Sequence, residues 1–313
     1  MAEAGLQAEA YQRLYPAEYY ASFLEKGIRP DGRLLSQARP VTLALGVVGS
    51  APSSALARVG GTSALAGVRA EVASPDLEVP EEGYLDVQVE IAPMAAPEAR
   101  PGQSLELSST LTERVSSLLT DAGAVDLRDL CIGGGRAAWA VRVDVLLLSS
   151  DGGELEAALL AALGAIAGLS LEAVHVTEEG NVVRDEAQRG EGPAAGEGAA
   201  EAANAAEDEE GARPPSARRN VLLRAFPHVL TVALHGSRMV VDPTAEETRL
   251  ADGTVDVALR HDGSLLAASM PAGGKVSDRS SLAKAMAAAE LSRREVFEAI
   301  KESLPRGVPG LTD

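Results

Sequence analysis

The groups in this chain that could do chemistry are few. His175, His228, His235 and His261 are spread without metal-ligand spacing, and Cys131, the single cysteine, has no thiol partner. A structural zinc site is therefore not expected, nor is a disulfide within the chain. Cys131 stands beside Ile132 among apolar residues and reads as core, as does Trp139. There is no Gly-x-x-x-x-Gly-Lys phosphate loop. Gly133-Gly134-Gly135 lacks dinucleotide spacing and precedes a strand pattern, so it reads as a turn. What remains is a charged turn, Arg29-Pro30-Asp31-Gly32-Arg33, and an acidic stretch, Val241-Asp242-Pro243-Thr244-Ala245-Glu246-Glu247. Pro30 fixes φ and Asp31-Gly32 suit a bend. On residue type alone the first is a charged turn.

The elements that must position these groups follow from periodicity. A helix is expected from about Ala8 to Glu25, interrupted at Pro16. Strand patterns follow at Val41–Val48, Ala55–Val59, Thr62–Val72, Tyr84–Ile91 and Trp139–Leu148, with Gly60-Gly61 marking a hairpin turn. Leu105, Leu111, Val115, Leu118 and Leu119 give Ser104–Thr120 a helical spacing, and Glu154–Leu169 is rich in Ala and Leu. A strand is expected at Ala173–Thr177. Further strands are expected at His228–Leu234, Met239–Val241, Thr254–Leu259 and Leu265–Ala268, then a helix from Asp278 to Leu304 with Leu282, Met286, Ala289, Val296, Ile300 and Leu304 inward. Strands then helices, twice over, predict an α+β protein of two similar β-rich units with packed helices.

Composition sets limits. The net charge is −18, from 28 Lys and Arg against 46 Asp and Glu, which excludes a generally basic nucleic-acid binder. Residues 178–210 hold 11 acidic residues against Arg184 and Arg189, about half of that charge, with few large apolar groups. Such a stretch cannot offset its ordering entropy and predicts a disordered insert over 178–219, between units at 29–177 and 220–313. Arg218-Arg219 would balance its charge. A helical extension covers 1–28. The first residues lack a positive, apolar leader, and the longest apolar run, Ala157–Leu171, is short of a bilayer span. A soluble intracellular protein is expected, with no membrane partner.

In chain order, Arg29-Pro30-Asp31-Gly32-Arg33, Gly61-Thr62-Ser63-Ala64-Leu65-Ala66-Gly67-Val68, Val143-Asp144-Val145 with Asp151-Gly152-Gly153, and the Val241–Glu247 stretch resemble the signatures of the RNase PH family. The resemblance covers nearly the whole chain apart from the insert and the ends. It implies an RNase PH-like fold. Val-Asp-Pro-Thr with Glu-Glu resembles the catalytically silent ring subunits of the eukaryotic RNA exosome. Tyr19-Tyr20-Ala21-Ser22-Phe23-Leu24 is most similar to the type called component eight in animals, with component seven the near neighbour.

The resemblance also implies a degenerate site. Where active members carry arginines in the helix after Glu106-Leu107-Ser108, this chain has Ser109, Glu113 and Ser116, and where an arginine follows the Asp-Gly-Gly turn it has Leu155. The two catalytic aspartates fall on Glu247 and Gly253, with Asp252 one residue away. No catalytic residue, metal or cofactor is then expected. Arg100, in a loop resembling one that faces the ring's pore, is the candidate RNA contact. The implied partners are other RNase PH-type ring subunits, RNA-binding cap subunits and RNA in the central pore. The implied locations are nucleus, nucleolus and cytoplasm. An active phosphorolytic exoribonuclease and a free-standing acidic adaptor are the competing readings.

Overall fold

The computed structural model describes residues 10–95, 102–132, 135–177, 182–184, 218–221, 223–236, 238–271 and 279–304. Residues 10–14 are helical, Tyr15 breaks the run, and helix α1 (Pro16–Glu25) starts on its proline. Proline suits that place because an amide there has no partner within the helix.

The first sheet holds β1 (Val41–Leu45), β2 (Ser53–Val59), β3 (Thr62–Ala73), β4 (Tyr84–Ile91), the short β5 (Cys131–Ile132) and β6 (Ala137–Ser149). Their order is β1-β2-β3-β6-β4, with β5 also on β6. Val59 faces Thr62, so Gly60-Gly61 is a two-residue hairpin turn, and Gly60 takes a φ of 56° that favours glycine. Strand β4 runs parallel to β6, which requires a crossover, and helix α2 (Gln103–Ala122) lies in it. Val87 and Val89 of β4 are buried while Asp86, Gln88 and Glu90 face water, the expected alternation. In α2, Leu111, Val115, Leu118 and Leu119 face inward, but Leu105 is 71% exposed and leaves the expected face. Cys131 is half-buried rather than core, and Trp139 packs against the core only partly buried.

Helix α3 (Glu154–Ala167) is apolar all round beyond its first turn, and all its residues after Glu154, Glu156 included, are buried. Such a helix must be covered all round. It lies on β2, β3 and β6 and also touches the second sheet. Gly164 permits the close approach: a Cβ there would stand 2.9 Å from Leu43 and 3.0 Å from Ala55.

After α3, β7 (Ser170–Glu172) and β8 (Val174–Val176) replace the single strand expected at Ala173–Thr177. They pair with β10 (Arg218–Asn220) and β9 (Val182–Arg184) respectively. Both margins of the expected insert at 178–219 are therefore strands. Val182-Val183 supplies β-branched residues for one ladder. Gly190–Glu210 and the rest of the insert lie outside the described residues.

The second sheet holds β11 (His228–His235), β12 (Arg238–Val241), β13 (Gly253–Leu259) and β14 (Leu265–Ser269), ordered β12-β11-β13-β14 and antiparallel throughout. Helix α4 (Ala245–Leu250) begins within the acidic stretch Val241–Glu247. Helix α5 (Arg279–Ile300) packs on β11, β12 and β13 and reaches β1, ending four residues before the expected Leu304. Ala289, Val296, Ile300 and Leu304 are buried as expected, and Leu282 and Met286 pack against the second core partly buried. Among the described residues no helix is long and apolar enough to cross a membrane.

Candidate functional site

The Asp151-Gly152-Gly153 turn fixes where α3 begins. Gly152 and Gly153 have φ of 80° and 72°, and a Cβ on Gly152 would stand 2.5 Å from the Pro243 carbonyl oxygen. Two glycines thus let the stretch after β12 lie directly on the start of α3. Leu155 is thereby placed in the wall of a groove of about 330 Å³, with Glu113, Arg114, Ser117 and Leu118 of α2 opposite and Val229, Asp256, Ala258, Ala267 and Ser269 of the second sheet below.

Glu113 and Leu155, two of the expected degenerate positions, meet in this groove. Ser109 joins Glu113 on a second groove of about 720 Å³ between α2 and β4, where Thr112 Oγ1 accepts from the Val89 amide at 2.9 Å. Ser116 is half-buried and lines neither groove. Arg100 lies outside the described residues.

Glu247 and Gly253 stand elsewhere. Glu247 is fully buried. Its carboxylate accepts from Arg29 Nε at 2.8 Å and from Arg29 Nη2, and caps α4 through the Thr244 amide at 2.8 Å. Arg29, expected in a charged turn, has no exposed surface, and it also donates to the carbonyl oxygens of Val241 and Asp242. Beside it Asp242 accepts from the Arg39 amide, Nε and Nη2 at 2.7, 2.8 and 2.6 Å. Arg39 in turn donates to the Asp151 and Gly152 carbonyl oxygens at 2.6 and 3.0 Å. Burial raises the Tyr20 hydroxyl's pKa, and Glu247 beside it adds to the rise. Gly253 opens β13 and pairs with Leu234, while Asp252 bonds the Gly236 amide at 2.6 Å.

The chemistry open to the groove follows from these contacts. A phosphate needs free cationic donors. Among the described residues the one cation lining it, Arg114, is held by Asp256 at 2.6 Å and by Ser269 Oγ at 2.6 Å, and Thr231 Oγ1 donates to the other Asp256 oxygen at 2.7 Å. Glu113 adds negative charge at the rim and Leu155 an apolar wall. The residues present do not fit a phosphate ion. A divalent cation fares no better, since Glu247 is committed to Arg29, and among the described residues no three of His, Cys, Asp and Glu gather as ligands.

Sequence reasoning missed three things here. Arg114 sits one residue from Glu113 and carries the groove's positive charge. Asp256 is its counter-ion. The Thr244-Ala245-Glu246-Glu247 spacing is a capping box, which would have marked α4 and shown Glu247, the degenerate position of a catalytic aspartate, as a cap. The first two had no local signal, because the partners lie far apart in sequence.

The chain matches two models of one family: domain 1 of the 3' exoribonuclease family over residues 37–172 and domain 2 over 225–301. It is 31% identical to the exosome complex component Rrp42 of Sulfurisphaera tokodaii over 255 residues, 81% of this chain and 82% of that protein. It is also 31% identical to the Rrp42 component of Methanopyrus kandleri, over 78% of this chain and 80% of that one. Among solved structures it superposes on a chain of the Archaeoglobus fulgidus exosome with RNA bound to the active site. The TM-score there is 0.71 at 26% identity, covering 90% and 96% of the two chains. An archaeal exosome core shares the fold, with a TM-score of 0.66 at 24% identity over 95% and 99%.

Proposed function

The chain belongs to the 3' exoribonuclease family and has its two-domain RNase PH-like fold, and from that premise we propose that it is a non-catalytic subunit of an exosome core ring. It would support 3'-to-5' RNA processing and degradation by completing the ring and guiding RNA through the pore, with RNase PH-type subunits as neighbours and RNA-binding cap subunits on one face. The observation that carries this reading is the groove where Leu155 and Glu113 meet, with Arg114 neutralised by Asp256. Phosphorolysis would need that charge free, and each lost donor costs about 2–4 kcal/mol of transition-state stabilisation.

The finer assignment is to the silent ring subunits of eukaryotes, component eight type first and component seven type second, supported by the Tyr19–Leu24 stretch. Nucleus, nucleolus and cytoplasm are the proposed locations, to be checked by imaging the tagged chain.

The test has two arms. The purified chain is given single-stranded RNA, phosphate and Mg²⁺, and no nucleoside diphosphate is expected. Sustained diphosphate release would overturn the non-catalytic reading. Co-expression with RNase PH-type partners should give one stable particle, in which Arg100→Glu weakens RNA retention modestly without changing its mass. A chain that stays monomeric beside those partners would overturn the ring assignment.

A further inference from the structure

Glu156 and His228 face each other in the seam between the two sheets, and neither takes part in the groove. Glu156 is on the first turn of α3 and His228 opens β11; they are 4% and 0% exposed. His228 Nδ1 stands 4.0 Å from Glu156 Oε1, and neither ring nitrogen has a hydrogen-bond partner among the described residues. A buried imidazole with two idle nitrogens is costly, and the Glu156 carboxyl group stands about 1 Å beyond hydrogen-bond reach of one of them. We propose that Glu156 and His228 form a single proton-binding site, and that the proton they hold between them fastens the seam.

The surroundings decide how many protons the site holds. Around Glu156 stand Asp242 and Arg39, which bond each other. Around His228 stand Arg293 and Glu290 of α5, also bonded to each other at 2.8 Å, together with Asp242. Among the described residues no unpaired cation stands by Glu156 to hold it as a carboxylate. Burial, reinforced by Asp242, raises the Glu156 carboxyl well above the usual range, with Arg39 opposing. Burial, with Arg293, lowers His228 to about 3. Burial thus disfavours a charge on either group, and the folded site favours one proton, as carboxylic acid beside neutral imidazole.

The unfolded chain behaves differently. Its glutamate titrates near 4.5 and its histidine near 6.5, so these two groups bind two protons below 4.5, one between 4.5 and 6.5, and none above 6.5. Folded and unfolded proton counts are equal only in the middle window, where the site's contribution to stability is greatest. Below 4.5 unfolding takes up a proton. Above 6.5 unfolding releases one, and the unfolding constant rises about tenfold per pH unit until the folded carboxyl itself ionises. The seam therefore loosens as pH climbs through neutrality.

The test is the pH dependence of denaturant unfolding of the full chain, read as the ratio of variant to parent so that other groups cancel. Glu156→Gln keeps the shape and removes the titrating acid. Its ratio should fall about tenfold per pH unit above 6.5, because the parent weakens there and the variant does not. His228→Gln should move the onset of weakening from 6.5 down to 4.5. A Glu156→Gln ratio that stays flat above pH 6.5 would overturn the proposal. Should neither variant fold, the parent answers alone. Above pH 6.5 its infrared spectrum should hold the C=O stretch of one protonated carboxylic acid, and a spectrum without that band overturns the proposal equally.

Discussion

The seam and the groove both set arginine against a carboxylate, and burial separates them. At the seam Arg29 and Glu247 are sealed from water, and Arg29 ties the segment before β1 to Val241, Asp242 and Glu247, more than two hundred positions later. In the groove the Arg114 side chain keeps 24% of its surface exposed although Asp256 beneath it is 6% exposed. The seam's charge is committed to holding the two sheets in register. The groove's charge lies at the solvent boundary, where one substitution can change what it offers to an anion. The same residue types thus serve architecture in one place and a surface property in the other.

The largest expected effect breaks the seam. Arg29→Met leaves Glu247 buried without its counter-ion and should cost about 3–5 kcal/mol. Glu247→Met should cost as much from the other side. The double substitution should be milder than either single one, because two apolar side chains of similar volume leave no orphaned charge. Denaturant unfolding of the three variants gives the comparison. A double variant as unstable as the worse single one would mean that Arg29 acts through its carbonyl contacts rather than through Glu247.

Asp256→Asn comes next. It removes the charge that holds Arg114 and weakens two part-buried hydrogen bonds, a loss of about 1–3 kcal/mol. It should also free one guanidinium at the groove. Retention of single-stranded RNA should rise, with the salt dependence of binding steeper by about 0.7 in log–log slope. Unchanged RNA retention would show that the groove is shut to RNA for reasons of shape rather than charge. Thr244→Ala is smaller: it removes the hydroxyl half of the α4 capping box while Glu247 still caps from the other side, and should cost about 1 kcal/mol in unfolding free energy.

What the sequence made legible was whatever its local pattern encodes. The apolar run at Ala157–Leu171 announces α3, the alternation at Leu85, Val87, Val89 and Ile91 announces β4, and Gly60-Gly61 announces the hairpin. Leu105 misled because apolar type was counted without phase. It lies six residues before Leu111, about 240° away around the helix, so it cannot share the face of Leu111, Val115 and Leu118. Helix α4 hid because six residues are too few to show a period, although its cap was written in Thr244 and Glu247. The site was less legible than the fold. Leu155 and Glu113 could be picked out by resemblance, but the burial of Arg29 depends on a partner 218 residues away, and a turn rich in Asp and Gly looks solvent-exposed until that partner is in place.

The smallest expected effect is on the outer face of the first sheet. Arg69 pairs with Asp144, and Arg142 pairs with Asp86, with Arg142 Nε 3.2 Å from its carboxylate. These pairs resemble those of the seam in type and geometry. They differ in exposure: the Arg69 and Arg142 side chains are 62% and 52% exposed. Arg69 and Arg142 also stand directly opposite each other across β3 and β6, so each pair works against a like charge on the neighbouring strand. Arg69→Ala therefore loses an ion pair that water already screens and relieves a repulsion at the same time. Its thermal midpoint should match the parent's, at low salt and high salt alike. A midpoint several degrees lower, recovering with salt, would show that exposed pairs on this sheet carry real weight, and burial would no longer suffice to explain why the seam and the surface differ.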